Sequence, residues 1–160
     1  MYSSIEKKIE INRGSLSSEL EMLRKGKTIV FTNGCFDILH RGHVSYLARA
    51  RDLGDYLVIG LNSDSSVNKL KGIGRPLNSE MDRAFVLAGL ASVDFITIFS
   101  EATPEKTIEI IKPDIHTKGG DYNENDLPEK RILDKIGSRI VLLPFESGFS
   151  TTSLIKRISI

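Results

Sequence analysis

The chain has 160 residues, of which 40% are hydrophobic and 27% charged, a length and composition typical of one globular domain. Its 22 basic and 21 acidic residues leave a net charge of +1, which argues against bulk binding to nucleic acid or to a membrane surface. One cysteine cannot form an internal disulfide, and neither a signal peptide nor an apolar run of ~20 residues for a membrane helix is recognisable, so we expect a cytoplasmic protein.

The first 26 residues are predicted to be an N-terminal helical extension. Ser18 and Glu21 have the spacing of a capping box, which predicts the start of a short helix there. The apolar Leu20 and Leu23 of this helix would pack either on the edge of the main domain or on a partner chain. The main domain is expected to occupy residues 27–160.

Strands and helices are predicted to alternate from residue 27 onward. In chain order they are strand 27–32, helix 44–53, strand 56–61, helix 79–90, strand 95–99, helix 103–111, strands 115–117 and 139–143, and helix 150–158. The first of these helices is assigned from an apolar stripe of Val44, Leu47 and Ala48. Because helices supply the crossovers that parallel strands need, the fold class is α/β: a Rossmann-like, doubly wound, five-stranded parallel sheet flanked by helices. The ligand site of such a sheet lies beyond the carboxyl ends of its strands.

The densest group of polar residues follows the first strand, at residues 32–43. His40 and His43 bracket Gly42 at the mouth of a helix, where free N–H groups and the helix dipole favour a phosphate. Gly42 lets a phosphate approach the backbone, and each imidazole can donate a hydrogen bond to it. The alternatives are two surface histidines without a ligand and, less favoured, a zinc pair, for which no third ligand lies nearby in the sequence.

Further segments carry candidate ligand contacts, each with a plainer alternative. Residues 69–76 hold three cations beside two glycines and form either a solvated flexible loop or a mobile cationic lid over a polyphosphate. Arg83 on the next helix is either a bidentate phosphate ligand or an exposed helical arginine. Residues 118–122 and 148–152 follow the fourth and fifth strands, where they form a turn and a helix cap or approach a base and a phosphate. The sequence contains neither a P-loop nor a dinucleotide glycine motif.

These segments together resemble the HIGH-type nucleotidyltransferase superfamily, whose signature reads His-Arg-Gly-His at residues 40–43. Ser150-Thr151-Thr152 resembles the second motif of that superfamily, although Phe149 and Ile155 replace its Ile and Arg. From about residue 27 to 158 the pattern is similar to the D-glycero-D-manno-heptose 1-phosphate adenylyltransferases of ADP-heptose synthesis. A chain of this length has no room for the sugar kinase domain that is often fused to them, so the free-standing form is expected.

The resemblance implies transfer of AMP from ATP to a sugar 1-phosphate, with release of pyrophosphate, Mg2+ as the cofactor and a homodimer as the assembly. Phe145 and Glu146 stand where cytidylyltransferases of the superfamily carry Arg-Thr, which favours ATP over CTP. The alternatives are a sibling transferase with another acceptor, such as a glycerol 3-phosphate cytidylyltransferase, and a non-catalytic nucleotide-binding sensor.

The resemblance also implies roles for individual residues. His40, His43 and Lys71 would be catalytic, since the histidines would steady the α-phosphorus and the leaving pyrophosphate while the lysine closes over the α-phosphate. The nucleotide would contact Thr32, Asn33, Gly34, Phe36, Gly42, Arg83, Gly119, Gly120, Asp121, Ser150, Thr151 and Thr152, with Thr32 and Phe36 contributing through their backbone. The sugar phosphate would contact Asp37, Asn62, Asp64 and Arg75. Mg2+ would be held by the nucleotide phosphates, with Asp37 as the one optional protein ligand.

Overall fold

The computed structural model describes residues 2–120 and 123–144 together with residues 148, 151, 154 and 155. Within them the strands are β1 (Ile29–Gly34), β2 (Tyr56–Asn62), β3 (Phe95–Phe99), β4 (Ile115–Gly119) and β5 (Arg139–Leu143). The α-helices are α1 (Tyr2–Glu6), α2 (Arg13–Leu23), α3 (Arg41–Arg51), α4 (Asp64–Lys71), α5 (Glu80–Ala88), α6 (Glu105–Ile111) and α7 (Lys130–Ile136), and Glu124–Asp126 form a 3-10 turn. In these parts of the chain no helix is both long and apolar enough to cross a membrane.

The strands form one parallel sheet in the order β3-β2-β1-β4-β5. β1 lies at its centre, where Thr32 pairs in register with Ile59 of β2 and with Thr117 of β4. The strand order reverses between β1 and β4, so the carboxyl ends of these two strands border the crevice in which sheets of this kind bind ligands. The prediction of an α/β, Rossmann-like parallel sheet is confirmed.

Polar side chains determine where several helices begin. Asn12, Ser63 and Ser79 each accept a hydrogen bond from a first-turn backbone N–H, at the starts of α2, α4 and α5, as N-cap residues do. The prediction that Ser18 caps a helix is wrong, because Asn12 caps the same helix earlier and the Ser18 hydroxyl donates to the Gly14 carbonyl inside α2. Helix α4 was not predicted, since few apolar residues mark its mostly polar sequence.

Two apolar cores cover the two faces of the sheet, one beneath α3 and α5 and the other beneath α2, α6 and α7. The face by which α3 packs differs from the predicted stripe: Tyr46, Leu47 and Ala50 are buried, whereas Val44 and Ala48 are exposed. The helix faces the sheet with Tyr46 because the Tyr46 hydroxyl forms buried hydrogen bonds with residues of β1 and β4.

The N-terminal segment packs on the same domain. Ile9 forms a parallel bridge with Ile96 of the edge strand β3, so the segment extends the edge of the sheet. Helix α2 fully buries Leu16 and Leu20 in the core beneath α6, and truncation of a leucine in such a position typically costs about 2–5 kcal/mol. Of the two alternatives for Leu20, the structure therefore shows packing on the domain.

Candidate active site

The loop that leaves β1 is bent by an uncommon backbone conformation. Phe36 has a φ of 44°, a left-handed conformation that costs a residue with a side chain about 1 kcal/mol. Its ring lies so close to Gly34 that a Cβ there would come within 2.9 Å of it. The same ring meets His43 edge-on, with 5.2 Å between ring centroids. This packing holds the turn that leads from β1 into α3.

His40 and His43 form a stacked pair at the start of α3. Their ring centroids lie 3.8 Å apart and the ring planes differ by 18°. His40 is the N-cap residue, and its Nδ1 accepts a hydrogen bond from the His43 backbone N–H at 3.4 Å. Because Nδ1 is an acceptor, we assign the proton of the neutral ring to Nε2, which is therefore a donor.

Both imidazoles are neutral near pH 7. Burial, reinforced by the neighbouring His40, lowers the pKa of His43 to about 4, and burial also lowers the pKa of His40. Face-to-face stacking is favoured while neither ring carries a charge. The pair therefore presents neutral N–H donors beside a helix N-terminus, whose unpaired N–H groups and dipole attract an anion. Stacked rings do not point their nitrogens at one centre, so this geometry does not support the zinc alternative.

Asp37 anchors residues 75–78 to the loop after β1. Its side chain is 3% exposed. One carboxylate oxygen accepts from the Arg75 guanidinium at 2.5 Å, and the other accepts from the backbone N–H groups of Leu77 and Asn78 at 2.7 and 3.4 Å. Both oxygens thus have protein donors, so the structure does not offer Asp37 as an open ligand for Mg2+ or for the acceptor. Arg75, expected at the sugar phosphate, is neutralised by the same ion pair.

The predicted lid at residues 69–76 is partly helical and is held at both ends. Helix α4 continues to Lys71, and the Asn68 side-chain amide donates to the carbonyls of Gly72 and Arg75. The Asp37 carboxylate fixes the other end. The segment is solvated, since residues 69–74 are exposed, but it is a helix end anchored by side-chain hydrogen bonds rather than a free loop. Its role as a lid stays a prediction.

Lys71 lies at the last position of α4. Its side chain is exposed, and it has no ion-pair partner among the residues that the structure describes. Its charge opposes the burial that raises the pKa of the Cys35 thiol, so the ammonium lies within electrostatic reach of the loop after β1. A cation without a described partner thus stands near the loop that leads to His40.

Arg83 is a structural cross-link in this structure. Its side chain is 1% exposed, and its guanidinium donates to the Asn78 carbonyl at 3.1 Å, the Cys35 carbonyl at 2.6 Å and the Asp64 carboxylate at 2.8 Å. A buried guanidinium held by three protein oxygens is not open to a ligand. The structure therefore contradicts both alternatives for Arg83, a bidentate phosphate contact and an exposed helical arginine. The carboxylate of Asp64, expected at the sugar phosphate, is one of its partners.

Two further candidate residues lie beneath the edge of the sheet. Thr32 is fully buried, and its hydroxyl lies 2.7 Å from the Tyr46 hydroxyl and donates to the Thr117 carbonyl at 3.1 Å. Asn62 is buried at the end of β2 and donates to the Ser66 hydroxyl at 2.9 Å. Neither side chain is open to a ligand, and both brace the strand ends below the crevice.

The end of β4 forms the other wall of the crevice. Gly119 closes the strand, and Gly120 follows with a φ of 114°, a conformation that side chains rarely allow. Asn33 at the end of β1 accepts a hydrogen bond from Lys118 of β4 at 3.1 Å. The structure therefore brings Asn33, Gly34, Gly119 and Gly120 to one edge of the sheet, from which the loop to the histidine pair departs.

Three predicted nucleotide contacts lie outside the described residues: Asp121, Ser150 and Thr152. The same is true of Phe145 and Glu146, on which the prediction of ATP rather than CTP rests. Thr151 is described, and its hydroxyl donates to the Ile38 carbonyl at 3.5 Å. This contact joins the second predicted motif to the loop of the first.

No group of three or more metal-ligating side chains occurs within the described ranges. Together with the occupied carboxylate of Asp37, this arrangement does not fit a Mg2+ ion held directly by the protein. Mg2+ at nucleotide sites usually keeps several waters and is bound largely through substrate phosphates, and Mg2+ as the cofactor stays a prediction.

Comparison with known proteins identifies the family. The Cytidylyltransferase-like family matches residues 31–157. The chain belongs to this family. It is 51% identical over 147 residues to the Bifunctional protein HldE of Syntrophotalea carbinolica, a match that covers 91% of this chain and 30% of that protein. The match to the protein of the same name from Pelobacter propionicus is 48% identical over 158 residues and covers 98% of this chain and 32% of that protein.

A solved structure supports the same assignment. The lipopolysaccharide core biosynthesis protein from Thermoplasma volcanium GSS1 is 32% identical to this chain, with a TM-score of 0.63 over 76% of this chain and 98% of that one. The chain spans about a third of the length of the two bacterial relatives. The predicted superfamily and the prediction of a nucleotidyltransferase enzyme are confirmed.

Three residues that organise the site carry little signal in the sequence. Tyr46 follows His43 by almost one helical turn. The only sequence signal for its role is that a tyrosine hydroxyl needs a hydrogen-bond partner when it is buried. Asn78 anchors its own segment through the Asp37 carbonyl, to which its side chain donates at 3.0 Å. Glu129 lies directly before α7, a helix that was not predicted. No feature of the sequence pointed to Glu129 as a residue of the site.

Proposed function

We propose that the chain transfers AMP from ATP to D-glycero-D-manno-heptose 1-phosphate, producing ADP-heptose and pyrophosphate. The observation that carries the proposal is the neutral, stacked pair of His40 and His43 at the N-terminus of α3, beside the crevice of the sheet. Membership of a nucleotidyltransferase family supports the reaction type. The likeness to a lipopolysaccharide core biosynthesis protein supports a sugar phosphate of the cell envelope as the acceptor.

The chemistry explains why neutral donors suit this reaction. A sugar phosphate has a second pKa of ~6 and is therefore largely dianionic at neutral pH. Its oxygen attacks the α-phosphorus of ATP, the bond from that phosphorus to the bridging oxygen breaks, and pyrophosphate leaves with the electron pair. No proton has to move, so the site must position two anions and stabilise the charge on the phosphoryl oxygens.

The described residues divide this work. The Nε2–H of His40, a second imidazole donor from His43 and the N–H groups at the start of α3 would face the triphosphate. Lys71 would supply a mobile positive charge to the α-phosphate and the attacking phosphate. Asp37 and Arg83 would act indirectly, since they fix the loop after β1 and the segment that follows α4.

We also propose that Mg2+ enters as the ATP complex, where it neutralises phosphate charge. The protein would hold that complex through the phosphates, because the Asp37 carboxylate is already occupied. A homodimer is part of the same proposal, and light scattering at two protein concentrations tests it.

The test is pyrophosphate release by the purified chain with Mg2+. ATP and CTP are each combined with the two anomers of heptose 1-phosphate and with glycerol 3-phosphate. A His43→Ala preparation purified in parallel measures background hydrolysis by contaminants.

Release that requires both ATP and a heptose 1-phosphate supports the proposal and identifies the anomer. Release with CTP and glycerol 3-phosphate would contradict the predicted base and acceptor while keeping the phosphate chemistry. If ATP binds but no acceptor gives turnover, the proposed reaction is wrong and the nucleotide sensor becomes the better description.

A further inference from the structure

A buried polar cluster lies on the side of the crevice opposite the histidine pair. The same Glu129 oxygen, Oε1, lies 3.0 Å from Nε2 of His116 and 2.6 Å from the ammonium of Lys118. The Lys118 ammonium also donates to the Asn33 side-chain oxygen at 3.1 Å. His116 and Glu129 are 0% and 1% exposed in their side chains. The mechanism above uses none of His116, Lys118 and Glu129.

The protonation states of the cluster follow from its contacts. Burial lowers the pKa of His116, so its ring is neutral and its Nε2 donates to the carboxylate. Hydrogen bonds from His116 and Lys118, together with the charge of Lys118, outweigh burial and lower the pKa of Glu129 to about 2. The cluster is thus one ion pair, between Glu129 and Lys118, with a neutral histidine behind it.

The two charges of the ion pair are buried to different extents. Its anion is buried, whereas the Lys118 side chain is 17% exposed. Lys118 directly precedes Gly119 and Gly120 at the end of β4, beside Asn33 at the end of β1. The positive end of the pair therefore lies nearer the crevice. Two of the three ammonium N–H donors have partners, and no described residue accepts the third.

Among the other basic groups named at the site, Lys71 is the cation that the proposed reaction already uses. Arg75 is paired with Asp37 and Arg83 with Asp64, and the histidines are neutral. The proposed reaction nevertheless brings two phosphate-bearing anions together, which requires compensating charge.

We propose that Lys118 binds a phosphate oxygen of one of the two substrates, and that Glu129 and His116 are its positioning residues. This inference rests on the proposed function for the identity of the substrates. ATP and the sugar phosphate carry the same chemical group, so separate titrations decide between them.

The decisive variant is the double substitution Lys118→Met with Glu129→Gln. The single change Lys118→Met would leave Glu129 buried without its cation, and a loss of activity would then be ambiguous. The double variant removes both charges and keeps an amide oxygen for His116. Lys130→Met is the matched control, because Lys130 also pairs with carboxylates, Glu124 and Asp134, but at the start of α7 rather than at the end of β4.

Dissociation constants are measured by calorimetry for ATP with Mg2+ and, separately, for heptose 1-phosphate, so the result does not depend on turnover. We expect the double variant to bind one of the two about 10- to 100-fold more weakly, the scale of one charge-assisted hydrogen bond, and Lys130→Met to bind both normally. A folded double variant whose two constants stay within about twofold of the wild type would overturn the proposal. If the wild type binds ATP but transfers nothing, the proposed function fails while this comparison remains valid.

A second measurement uses the wild-type chain and covers the case in which the double variant does not fold. Lysines are acetylated in the absence and presence of each saturating ligand, and modification is quantified at each site by mass spectrometry. Protection of Lys118 with unchanged modification of Lys130 supports the contact. Equal modification of Lys118 with and without both ligands would refute it.

Discussion

Replacement of Arg83 by methionine distinguishes a structural arginine from a phosphate ligand. The side chain is 1% exposed and joins three segments through the Asn78 carbonyl, the Cys35 carbonyl and the Asp64 carboxylate. Methionine retains much of the apolar stem but removes every donor. If Arg83 were a ligand for a phosphate, the same change would weaken ATP binding and leave the fold unaffected.

The size of the effect follows from the three hydrogen bonds. Bonds to a charged donor contribute about 1.5–3 kcal/mol each, and an acceptor left buried without a donor costs about 1–3 kcal/mol. The Asp64 side chain is 44% exposed and regains water, so its bond adds less than about 1 kcal/mol. We therefore expect a loss of about 3–6 kcal/mol, nearly all of it from the two carbonyls. For a chain of this size each kcal/mol lowers Tm by about 2–4 °C, which gives a fall between roughly 6 and 24 °C.

The assay is urea unfolding together with a thermal scan, with Arg131→Met as the control because Arg131 is exposed on α7. Asp64→Asn and the double variant complete a cycle, in which the coupling between Arg83 and Asp64 should stay below about 1 kcal/mol. An Arg83→Met protein with native Tm and a raised KM for ATP would refute the structural assignment and restore the phosphate contact.

Three other measurements test the site. His43→Ala should lower kcat at least about 100-fold with an unchanged circular dichroism spectrum. The pKa of His43 is about 4, so the pH dependence of kcat should show no His43 titration near pH 6.5. A fall of kcat near pH 6.5 that is lost in the variant would contradict the neutral pair. Lys71→Ala should lower kcat about tenfold or more and leave Tm within about 2 °C, because the side chain is exposed. The control Lys69→Ala, on the same helix, should have nearly the wild-type kcat. Equal losses of kcat in both variants would indicate a diffuse electrostatic effect instead of a specific contact. The pKa values of His43 and His116 are depressed in the folded chain. Below about pH 6.5 the unfolded chain therefore takes up protons that the folded chain does not. As the pH is lowered from about 7 to 5, the free energy of unfolding should fall. The low pKa of Glu129 extends that loss below about pH 4.5, and urea titrations that give a constant free energy over this range would disprove the assignment of buried neutral histidines.

Strands were easier to predict from the sequence than helices. β3 and β5 have the predicted bounds, because a short apolar run between polar turns has few alternative interpretations. Helices α4 and α7 were missed. Ser63 caps α4, but most of its residues face solvent, so it lacks the apolar periodicity on which the prediction depended.

The residues of the first motif were found by spacing, whereas their roles depended on contacts that spacing does not contain. The sequence placed His40 and His43 at a helix mouth, where the structure has them. It gave no means to see that Arg75 lies against Asp37, or that Arg83 reaches Cys35 and Asp64 across 48 and 19 residues of chain. Such pairings are set by the packing of α4 and α5 on the sheet.

These pairings suggest how a site for two anions can also be stable before either arrives. A cluster of unpaired arginines would repel itself in the free protein, and a buried arginine requires an acceptor in any case. Here the guanidinium groups of Arg75 and Arg83 are matched by carboxylates and used as braces, while in the proposed reaction the neutral rings of His40 and His43 would face the place where charge must develop. Neutral donors cost little to hold close together and respond only when an anion is present. We therefore expect substitutions at the two arginines to change stability first and catalysis through it. Substitutions at the two histidines should change catalysis by much more than the loss of the α3 N-cap or of the Phe36 contact changes stability.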